Sequence, residues 1–171
     1  MTNVTRIFDI LPYQKLKCYN NVALAGKEND QWITYSTDDF LNTANLVSYA
    51  LMAMGISKDD KIATISNNRP QWNMFDFGIL QVGAVQVAIY PTISENDYKF
   101  ILTDADVKLI MVSDADLANK MKNIISQLKP GIEIFTFDKV PGFKHWSDLL
   151  DLGKSNVQTD KLQQLKNAVN E

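Results

Sequence analysis

Two glycines have the spacing found in phosphate-binding loops. Gly78 and Gly83 are separated by four residues, as in the GxxxxGK[ST] motif, in which the following Lys and Ser or Thr reach the phosphates and their metal ion. Ala84 and Val85 occupy those two positions here, and the sequence has no GxGxxG motif. We therefore interpret the glycine pair as structural, at positions where a helix packs closely against a sheet.

The single histidine, His145, is a second candidate for chemistry because Ser147 and Asp148 lie beside it. A catalytic triad needs three groups that converge in space, whereas near neighbours in a sequence point in different directions. We expect His145 to be a surface or half-buried residue next to Trp146.

Four aspartates lie close together in the sequence and could indicate a bound cation: Asp104, Asp106, Asp114 and Asp116. The turn glycine and the remaining ligands of a calcium loop are missing. Helix caps and solvated turns explain aspartates at such positions. The residues alone therefore identify no catalytic residue, no cofactor-binding residue and no metal ligand.

The composition limits the class of protein. With 171 residues, of which 46% are hydrophobic and 22% charged, the chain has the size of one globular domain with a substantial core. Its net charge of -3 is spread along the chain, which argues against a nucleic-acid partner. The one cysteine, Cys18, cannot form an internal disulfide or a cysteine zinc site. Because we find neither a signal peptide nor a membrane-spanning apolar segment, we expect a cytoplasmic protein, with peripheral membrane association as an alternative.

The clearest predicted element is a helix that begins at Ser36. Ser36 and Asp39 have the spacing of a reciprocal cap, and apolar residues recur with helical period from Phe40 to Met54. Gly55 suits the left-handed residue that ends many helices. Two further helices are predicted to begin with the same capping pattern, at Ser94 with Asp97 and at Ser113 with Asp116.

Four short segments rich in β-branched or apolar residues predict strands after this helix. They begin at Lys61, Val85, Lys108 and Ile132. A helical pattern fills each gap between them, which is typical of βα crossovers in a parallel sheet. The predicted fold class is α/β, with a mainly parallel sheet and helices on both faces. Leu51 and Trp72 are expected to point into the interface between helices and sheet.

We interpret residues 1–171 as a single α/β domain with three parts. Residues 1–35 are the N-terminal segment with a hairpin, residues 36–153 are the βα units, and residues 154–171 are a linker or a helix. The hairpin is expected to be antiparallel and to turn between Gly26 and Asp30. The final helix carries apolar residues on one side but has no evident buried partner in this sequence.

Beyond these patterns, the segment from Gly55 to Val112 closely resembles the N-terminal region of the AMP-forming acyl-CoA synthetases, the adenylate-forming ligases. The landmarks that occur in the family's order are Thr34-Tyr35 after Trp32, Gly55-Ile56, Asp60-Lys61-Ile62, Asn68-Arg69-Pro70 with Trp72, Gly83-Ala84-Val85, Tyr90-Pro91-Thr92, and His145-Trp146 with Leu149. The NNRPQW and IYPT segments most resemble the bacterial long-chain fatty acid branch. Ala88 is a departure, since family members commonly carry proline there.

The resemblance implies the N-terminal part of the large domain of a long-chain fatty acid–CoA ligase. Such an enzyme joins a fatty acid carboxylate to the α-phosphorus of ATP with release of pyrophosphate, and the CoA thiol then displaces AMP. It implies ATP, Mg²⁺ and CoA as cofactors, fatty acid as substrate, and a homodimer as a candidate assembly. The family's phosphate loop, magnesium ligand and catalytic lysine come later in the chain. We therefore expect this fragment alone to be inactive and to bind none of these cofactors.

The resemblance suggests one local contact, the loop Tyr90-Pro91-Thr92 after a predicted parallel strand. Ligands of α/β folds bind at this edge of the sheet, and the matching loop in relatives lies beside the pantetheine channel. These three residues are therefore candidates for the wall of a substrate or CoA channel. The alternative is a plain turn in which proline fixes φ.

Two other functions stay open at this point. An adenylate-forming ligase for aryl or amino acids is compatible with the sequence, because later residues build most of the acyl pocket. A free-standing, non-enzymatic α/β domain that binds a partner is the other alternative. A phosphate-accepting receiver domain is disfavoured, because Asn67 and Asn68 follow the first parallel strand where acidic residues would be needed.

Overall fold

The computed structural model describes residues 4–28, 30–128 and 131–169, and its centre is a five-stranded parallel sheet. Two strands, β1 (Leu24–Glu28) and β2 (Gln31–Tyr35), form a separate two-stranded sheet. The strands of the parallel sheet are β3 (Lys61–Ile65), β4 (Val85–Ile89), β5 (Leu109–Val112), β6 (Glu133–Thr136) and β7 (Lys144–His145). The order in the sheet is β4-β3-β5-β6-β7, and every neighbouring pair is parallel. The predicted strands are therefore neighbours.

Helices cover both faces of this sheet. They are α1 (Ile10–Lys17), α2 (Thr37–Ala53), α3 (Pro70–Gln81), α4 (Glu95–Asp104), α5 (Ala115–Ile125), α6 (Trp146–Ser155) and α7 (Thr159–Ala168). Along β3, Ile62 packs with α2, α3 and α6, whereas Ala63 faces the opposite core with α4 and α5. The predicted α/β class with helices on both faces is confirmed. Within the described ranges, none of the helices is both long and apolar enough to cross a bilayer.

Helix α2 begins and ends as its sequence predicts. The Asp39 amide donates to Ser36 Oγ (3.1 Å), and the Ser36 amide donates to Asp39 Oδ2 (2.8 Å). At the other end Gly55 has φ +81°, and the Ile56 amide donates to the Leu51 carbonyl (2.9 Å). These bonds satisfy backbone groups that a helix terminus otherwise leaves without partners.

The predicted cap of α5 is displaced by one residue. Asp114, rather than Ser113, accepts from the Leu117 amide (3.1 Å). Ser113 is buried at the end of β5 and donates its hydroxyl hydrogen to Asp114 Oδ2 (2.5 Å). The Ser113 amide also donates to the Ile65 carbonyl at the end of β3 (3.1 Å), so Ser113 continues the pairing of the sheet and the next residue caps the helix. The predicted cap of α4, Ser94 with Asp97, is confirmed.

Two glycines allow α2 to approach both neighbouring helices. A Cβ added at Gly78 of α3 would overlap Val47, and a Cβ added at Gly153 of α6 would overlap the Leu46 carbonyl. Buried Ser48 strengthens the first contact, since its Oγ lies 2.9 Å from the Gly78 carbonyl. Gly78 is structural, as predicted, but it serves helix-to-helix packing rather than packing against the sheet.

Leu51 and Trp72 differ from each other in burial. Leu51 is fully buried in the core beneath α2, as predicted. Trp72 is only partly buried and lies outside both core clusters, so its predicted place in the helix–sheet interface is wrong. On α3 that interface is formed by Met74, Phe75 and Ile79, because the buried stripe is rotated away from Trp72.

The two ends of the fold also depart from expectation. β1 and β2 form the predicted antiparallel hairpin, but Gly26 lies within β1, opposite Ile33, rather than in the turn. The final helix, α7, has a buried partner after all. Leu162 is buried in the main core, and the hydroxyl of Thr159 lies 3.2 Å from the hydroxyl of Tyr49. The division of the chain into three parts stays a prediction.

Arg6 joins the start of the fold to α7. Its side chain pairs with Asp9 (2.9 Å), and Nη1 donates to the carbonyls of Lys166 and Val169 at the end of α7. The Arg6 guanidinium and the Lys166 ammonium both lie over the ring of Phe8. A cation placed at a helix C-terminus satisfies free carbonyls and opposes the helix dipole.

Gly153→Ala is expected to lower the free energy of unfolding by about 1–3 kcal/mol, because the new Cβ meets the backbone of α2. Helix propensity alone predicts the opposite sign, a gain of about 1 kcal/mol. Urea unfolding monitored by circular dichroism measures the difference. Ser155→Ala, at an exposed site of the same helix, is the control and should change stability by less than about 0.5 kcal/mol.

Asp76 of α3 predicts a pH-dependent stability. Burial raises the pKa of its carboxyl group to about 6, and no described residue hydrogen-bonds or pairs with it. The carboxyl group of Asp76 therefore binds its proton more tightly in the folded state than in the unfolded state. As a consequence, the contribution of Asp76 to the free energy of unfolding falls as the pH rises from about 4 to 6.

Asp76→Asn should therefore stabilise the protein by about 1–2 kcal/mol at pH 7.5, after allowance for partial solvent exposure, and the gain should shrink towards zero near pH 4. Urea melts at four pH values between 4 and 7.5 test this. Ser155→Ala, at an exposed site of α6 without an ionisable group, is the control and should show a difference that does not vary with pH. A gain for Asp76→Asn that does not vary with pH would contradict the assignment.

Candidate functional site

A polar cleft of about 960 Å³ lies at the carboxyl ends of the parallel strands. Strands β3, β5 and β6 lead into it through Ser66, Ser113 and Phe137. The chain leaves β3 towards β4 but leaves β5 towards β6 on the other side, so the strand order reverses between β3 and β5. Ligands of open α/β sheets bind in the crevice at such a reversal. This cleft is the candidate functional site.

Three helices begin at the cleft. Arg69, Asp114 and His145 are the residues before α3, α5 and α6, and all three line the cleft. Helix N-termini carry partial positive charge and present backbone amides. Two of these termini already have side-chain caps, since Asp114 accepts from the Leu117 amide and His145 Nδ1 accepts from the Ser147 amide, whereas α3 has none.

Arg69 connects two sides of the cleft. Its Nη1 pairs with Asp138 Oδ1 after β6 (3.0 Å), and its Nε donates to Gln71 Oε1 (3.1 Å). The guanidinium also lies 4.8 Å from the centre of the Phe137 ring. These contacts fix the direction of the arginine, and the aspartate offsets part of its charge.

The hairpin forms another wall. Gln71 Nε2 donates to Glu28 Oε1 of β1 (2.8 Å) and lies 3.4 Å from the Tyr35 hydroxyl of β2. Burial, with a smaller contribution from Glu28, raises the pKa of Tyr35 above its usual value. Gly26 is packed so tightly on Pro70 that a Cβ there would lie 2.7 Å from Pro70 Cδ. The start of α3 and the hairpin are therefore held as one unit.

His145 is half-buried, as predicted, and both of its ring nitrogens have structural partners. Nδ1 accepts from the Ser147 amide (3.1 Å), so Nε2 carries the hydrogen that it donates to the Phe137 carbonyl (2.9 Å). Asp148 accepts from the His145 backbone amide (2.8 Å) and not from the ring. Ser147, His145 and Asp148 therefore cap α6 and do not form a triad.

The loop Tyr90-Pro91-Thr92 follows β4 at the same end of the sheet but does not line the cleft. Tyr90 is 80% exposed, and its carbonyl accepts from the Tyr98 hydroxyl (3.0 Å). The role of this loop in a substrate or CoA channel stays a prediction.

The four aspartates of the sequence cluster separate in the fold. Asp114 caps α5, while Asp106 takes φ +47° in the turn after α4 and pairs with Lys108 (2.6 Å). In the part of the chain that the structure describes, no group of three or more His, Cys, Asp or Glu side chains is placed to hold a metal ion.

That Arg69, Gln71 and Asp138 are neighbours was not predicted from the sequence. For Arg69 and Asp138 the sequence did contain a relevant pattern, because each follows a predicted parallel strand. The carboxyl ends of such strands meet at one edge of the sheet. The contact of Gln71 with the hairpin had no comparable signal, because nothing local fixes where a hairpin outside the sheet docks.

The sequence matches the family of AMP-binding enzymes over residues 14–166. The long-chain-fatty-acid–CoA ligase heimdall of Drosophila melanogaster is 26% identical over 146 residues, which cover 80% of this chain and 21% of that protein. The 4-hydroxybutyrate–CoA ligase 2 of Metallosphaera sedula is 33% identical over 103 residues, which cover 60% of this chain and 18% of that protein. The chain thus spans about a fifth of the length of these curated relatives.

Solved structures show the same fold. The anthranilate CoA ligase AuaEII in complex with anthranoyl-AMP has a TM-score of 0.71 at 23% identity, over 84% of this chain and 26% of that chain. A fatty acyl CoA synthetase from Mycobacterium tuberculosis has a TM-score of 0.66 at 20% identity, over 88% of this chain and 28% of that chain.

His145→Ala is expected to lower the free energy of unfolding by about 0.5–2 kcal/mol, because the α6 cap and the bond to the Phe137 carbonyl are both lost. His145→Asn should retain part of this stability, since asparagine also caps helices. Thermal and urea melts of the two variants give the comparison. Equal losses in both would indicate that the cap contributes nothing.

Proposed function

This chain belongs to the AMP-binding enzyme family, and from that membership we propose that it is the N-terminal part of a long-chain fatty acid–CoA ligase. The proposed reaction has two steps. The fatty acid carboxylate attacks the α-phosphorus of ATP to give an acyl-adenylate and pyrophosphate, and the CoA thiol then displaces AMP to give the thioester. The match over residues 14–166 is the observation that carries the proposal.

The choice of a long-chain fatty acid as the substrate rests on two observations beyond family membership. The Drosophila relative is named as a long-chain fatty acid ligase and covers most of this chain, and the segments NNRPQW and IYPT resemble that branch. The Metallosphaera relative is more similar over a shorter stretch and is named for a short hydroxy acid. A comparison of acids of different length therefore tests the fatty acid assignment.

Among the residues that the structure describes, those considered for phosphate or magnesium contacts already have structural roles. Gly78 is used for helix packing, Asp138 is paired with Arg69, and Asp114 caps α5. We assign the phosphate and magnesium contacts of the proposed reaction to residues outside this chain. ATP, Mg²⁺ and CoA are thus proposed for the complete enzyme only.

Within the complete enzyme, we assign this chain the role of a rigid wall. Arg69 and Gln71 join the start of α3 to the hairpin and to the end of β6. Tyr90, Pro91 and Thr92 are proposed to line the substrate or CoA channel. We also propose that the complete enzyme is located in the cytoplasm, either free or peripherally associated with a membrane.

A pyrophosphate-release assay tests the function. With hexadecanoate, ATP, Mg²⁺ and CoA, the 171-residue chain should give no signal above background. The product of the complete reading frame that encodes it should release pyrophosphate and form hexadecanoyl-CoA, detected by mass spectrometry. Anthranilate and 4-hydroxybutyrate should be poorer substrates by at least about tenfold in kcat/KM, a difference of about 1.4 kcal/mol in transition-state binding.

The outcomes separate the parts of the proposal. Turnover by the 171-residue chain alone would contradict the placement of the ATP chemistry outside it. Preference of the complete product for anthranilate or 4-hydroxybutyrate would overturn the fatty acid assignment and leave the ligase reaction intact. Inactivity of the complete product towards all three acids would overturn the ligase proposal.

A further inference from the structure

We propose that Tyr98 is a positioning residue for the CoA step of the proposed reaction, because it fixes the backbone of the loop Tyr90-Pro91-Thr92 from within the core. The inference rests on the proposed function, which places this loop on the wall of a substrate or CoA channel. Its new element is the residue that holds the loop. Tyr98 lies in α4, outside the loop and outside the cleft.

One hydrogen bond ties this loop to the rest of the fold. Pairing between β3 and β4 ends at Ile89, so residues 90–93 lie beyond the sheet. The Tyr98 hydroxyl donates to the Tyr90 carbonyl (3.0 Å). Among the residues that the structure describes, no other hydrogen bond joins residues 90–93 to a different element. The position of the loop backbone therefore depends on the Tyr98 hydroxyl.

Proline restricts the same peptide group along the chain. The ring of Pro91 fixes its own φ, and it also keeps the preceding residue in an extended conformation. These local restrictions do not hold the Tyr90 carbonyl against the rest of the molecule, whereas the bond from Tyr98 does. Together they set the direction in which the Tyr90 side chain, which is 80% exposed, leaves the fold.

The Tyr98 side chain is itself firmly held. It has no exposed surface and belongs to the core cluster between the sheet and helices α4 and α5. Lys120 of α5 lies over its ring, with Nζ 5.8 Å from the ring centre. Ser94 and Asp97 cap α4 just before Tyr98 and so fix where the helix begins. Burial raises the pKa of the Tyr98 hydroxyl, which therefore keeps its proton and remains a donor at neutral pH.

The place of the loop suits a ligand of the second step. Tyr90, Pro91 and Thr92 lie at the carboxyl end of β4, at the same end of the sheet as the cleft, but they do not line it. A wall beside the cleft can contact the ligand that arrives after the acyl-adenylate has formed. The arm that carries the CoA thiol is flexible, and a wall fixed in advance reduces the entropy lost on binding.

Tyr98→Phe tests this role in the complete enzyme, because it removes the hydroxyl and keeps the ring in the core. The KM for CoA should rise by about fivefold, which is within the range expected for the loss of one hydrogen bond. The KM for hexadecanoate and the rate constant of pyrophosphate release in a single turnover without CoA should each stay within about twofold of the parent values.

Tyr49→Phe is the matched control. It removes the hydroxyl of another buried tyrosine, whose partner is Thr159 of α7 and not the loop (3.2 Å). It should lower thermal stability to a similar extent as Tyr98→Phe and leave the KM for CoA unchanged. A general loss of stability would affect both variants, whereas loss of the loop contact affects only Tyr98→Phe.

The 171-residue chain offers a measurement that needs no activity. Nitrogen-15 relaxation should give backbone order parameters of about 0.85 for Thr92 and Ile93 in the parent and in Tyr49→Phe, and values that fall towards about 0.6 in Tyr98→Phe. Circular dichroism verifies that each variant is folded.

The results separate this role from the ligase reaction itself. An inactive complete parent would overturn the ligase proposal, and the order parameters would still test the loop contact. Unchanged order parameters in Tyr98→Phe, an unchanged KM for CoA in an active enzyme, or a rise in the KM for hexadecanoate in place of CoA would each overturn the role of Tyr98.

Discussion

Helix α2 must lie close to two neighbours at once, and the rest of the fold depends on this contact. Its residues Ala44, Val47 and Leu51 have no exposed surface. Because Gly78 and Gly153 have no Cβ, α3 and α6 approach its backbone from either side. The three helices then pack as neighbours on one face of the sheet, where α1 and α7 add Leu11 and Leu162 to the same core. The start of α3 and the start of α6 are in turn two of the walls of the cleft, so the shape of the cleft follows from the packing behind it.

Much of this fold is predictable from the sequence because its elements are marked locally. Ser36 with Asp39 begins α2, and Gly55 ends it through a left-handed residue. The features that prediction missed depend on tertiary contacts. Gly78 carries no signal of whether its neighbour is a sheet or a helix. Trp72 has the same helical spacing as the buried residues of α3, yet the docking angle of the helix leaves it partly exposed.

The cleft shows the same division between local and tertiary information. That strand ends converge at one edge follows from a parallel topology, which the spacing of strands and helices predicts. That Arg69 meets Asp138, and that Gln71 meets Glu28, depends on which strand lies next to which and on how the hairpin docks. His145 illustrates why the neighbours of a residue in sequence are a poor guide to chemistry. The imidazole caps α6 by accepting from the Ser147 amide, and Asp148 accepts from the His145 backbone amide. Both neighbours therefore take part in the cap of the helix and not in a catalytic group.

The contact between Arg6 and the end of α7 also bears on how the protein is made. The guanidinium donates to the Lys166 carbonyl, 160 positions later in the chain. A ribosome adds about 5–20 residues per second, so roughly 10–30 s pass between the synthesis of these two residues. Arg6 can pair with Asp9 and lie over Phe8 as soon as these residues are made, but its bonds to the end of α7 cannot form before that interval has passed. The contacts that join Arg6 to α7 are therefore expected to form after the βα units between them.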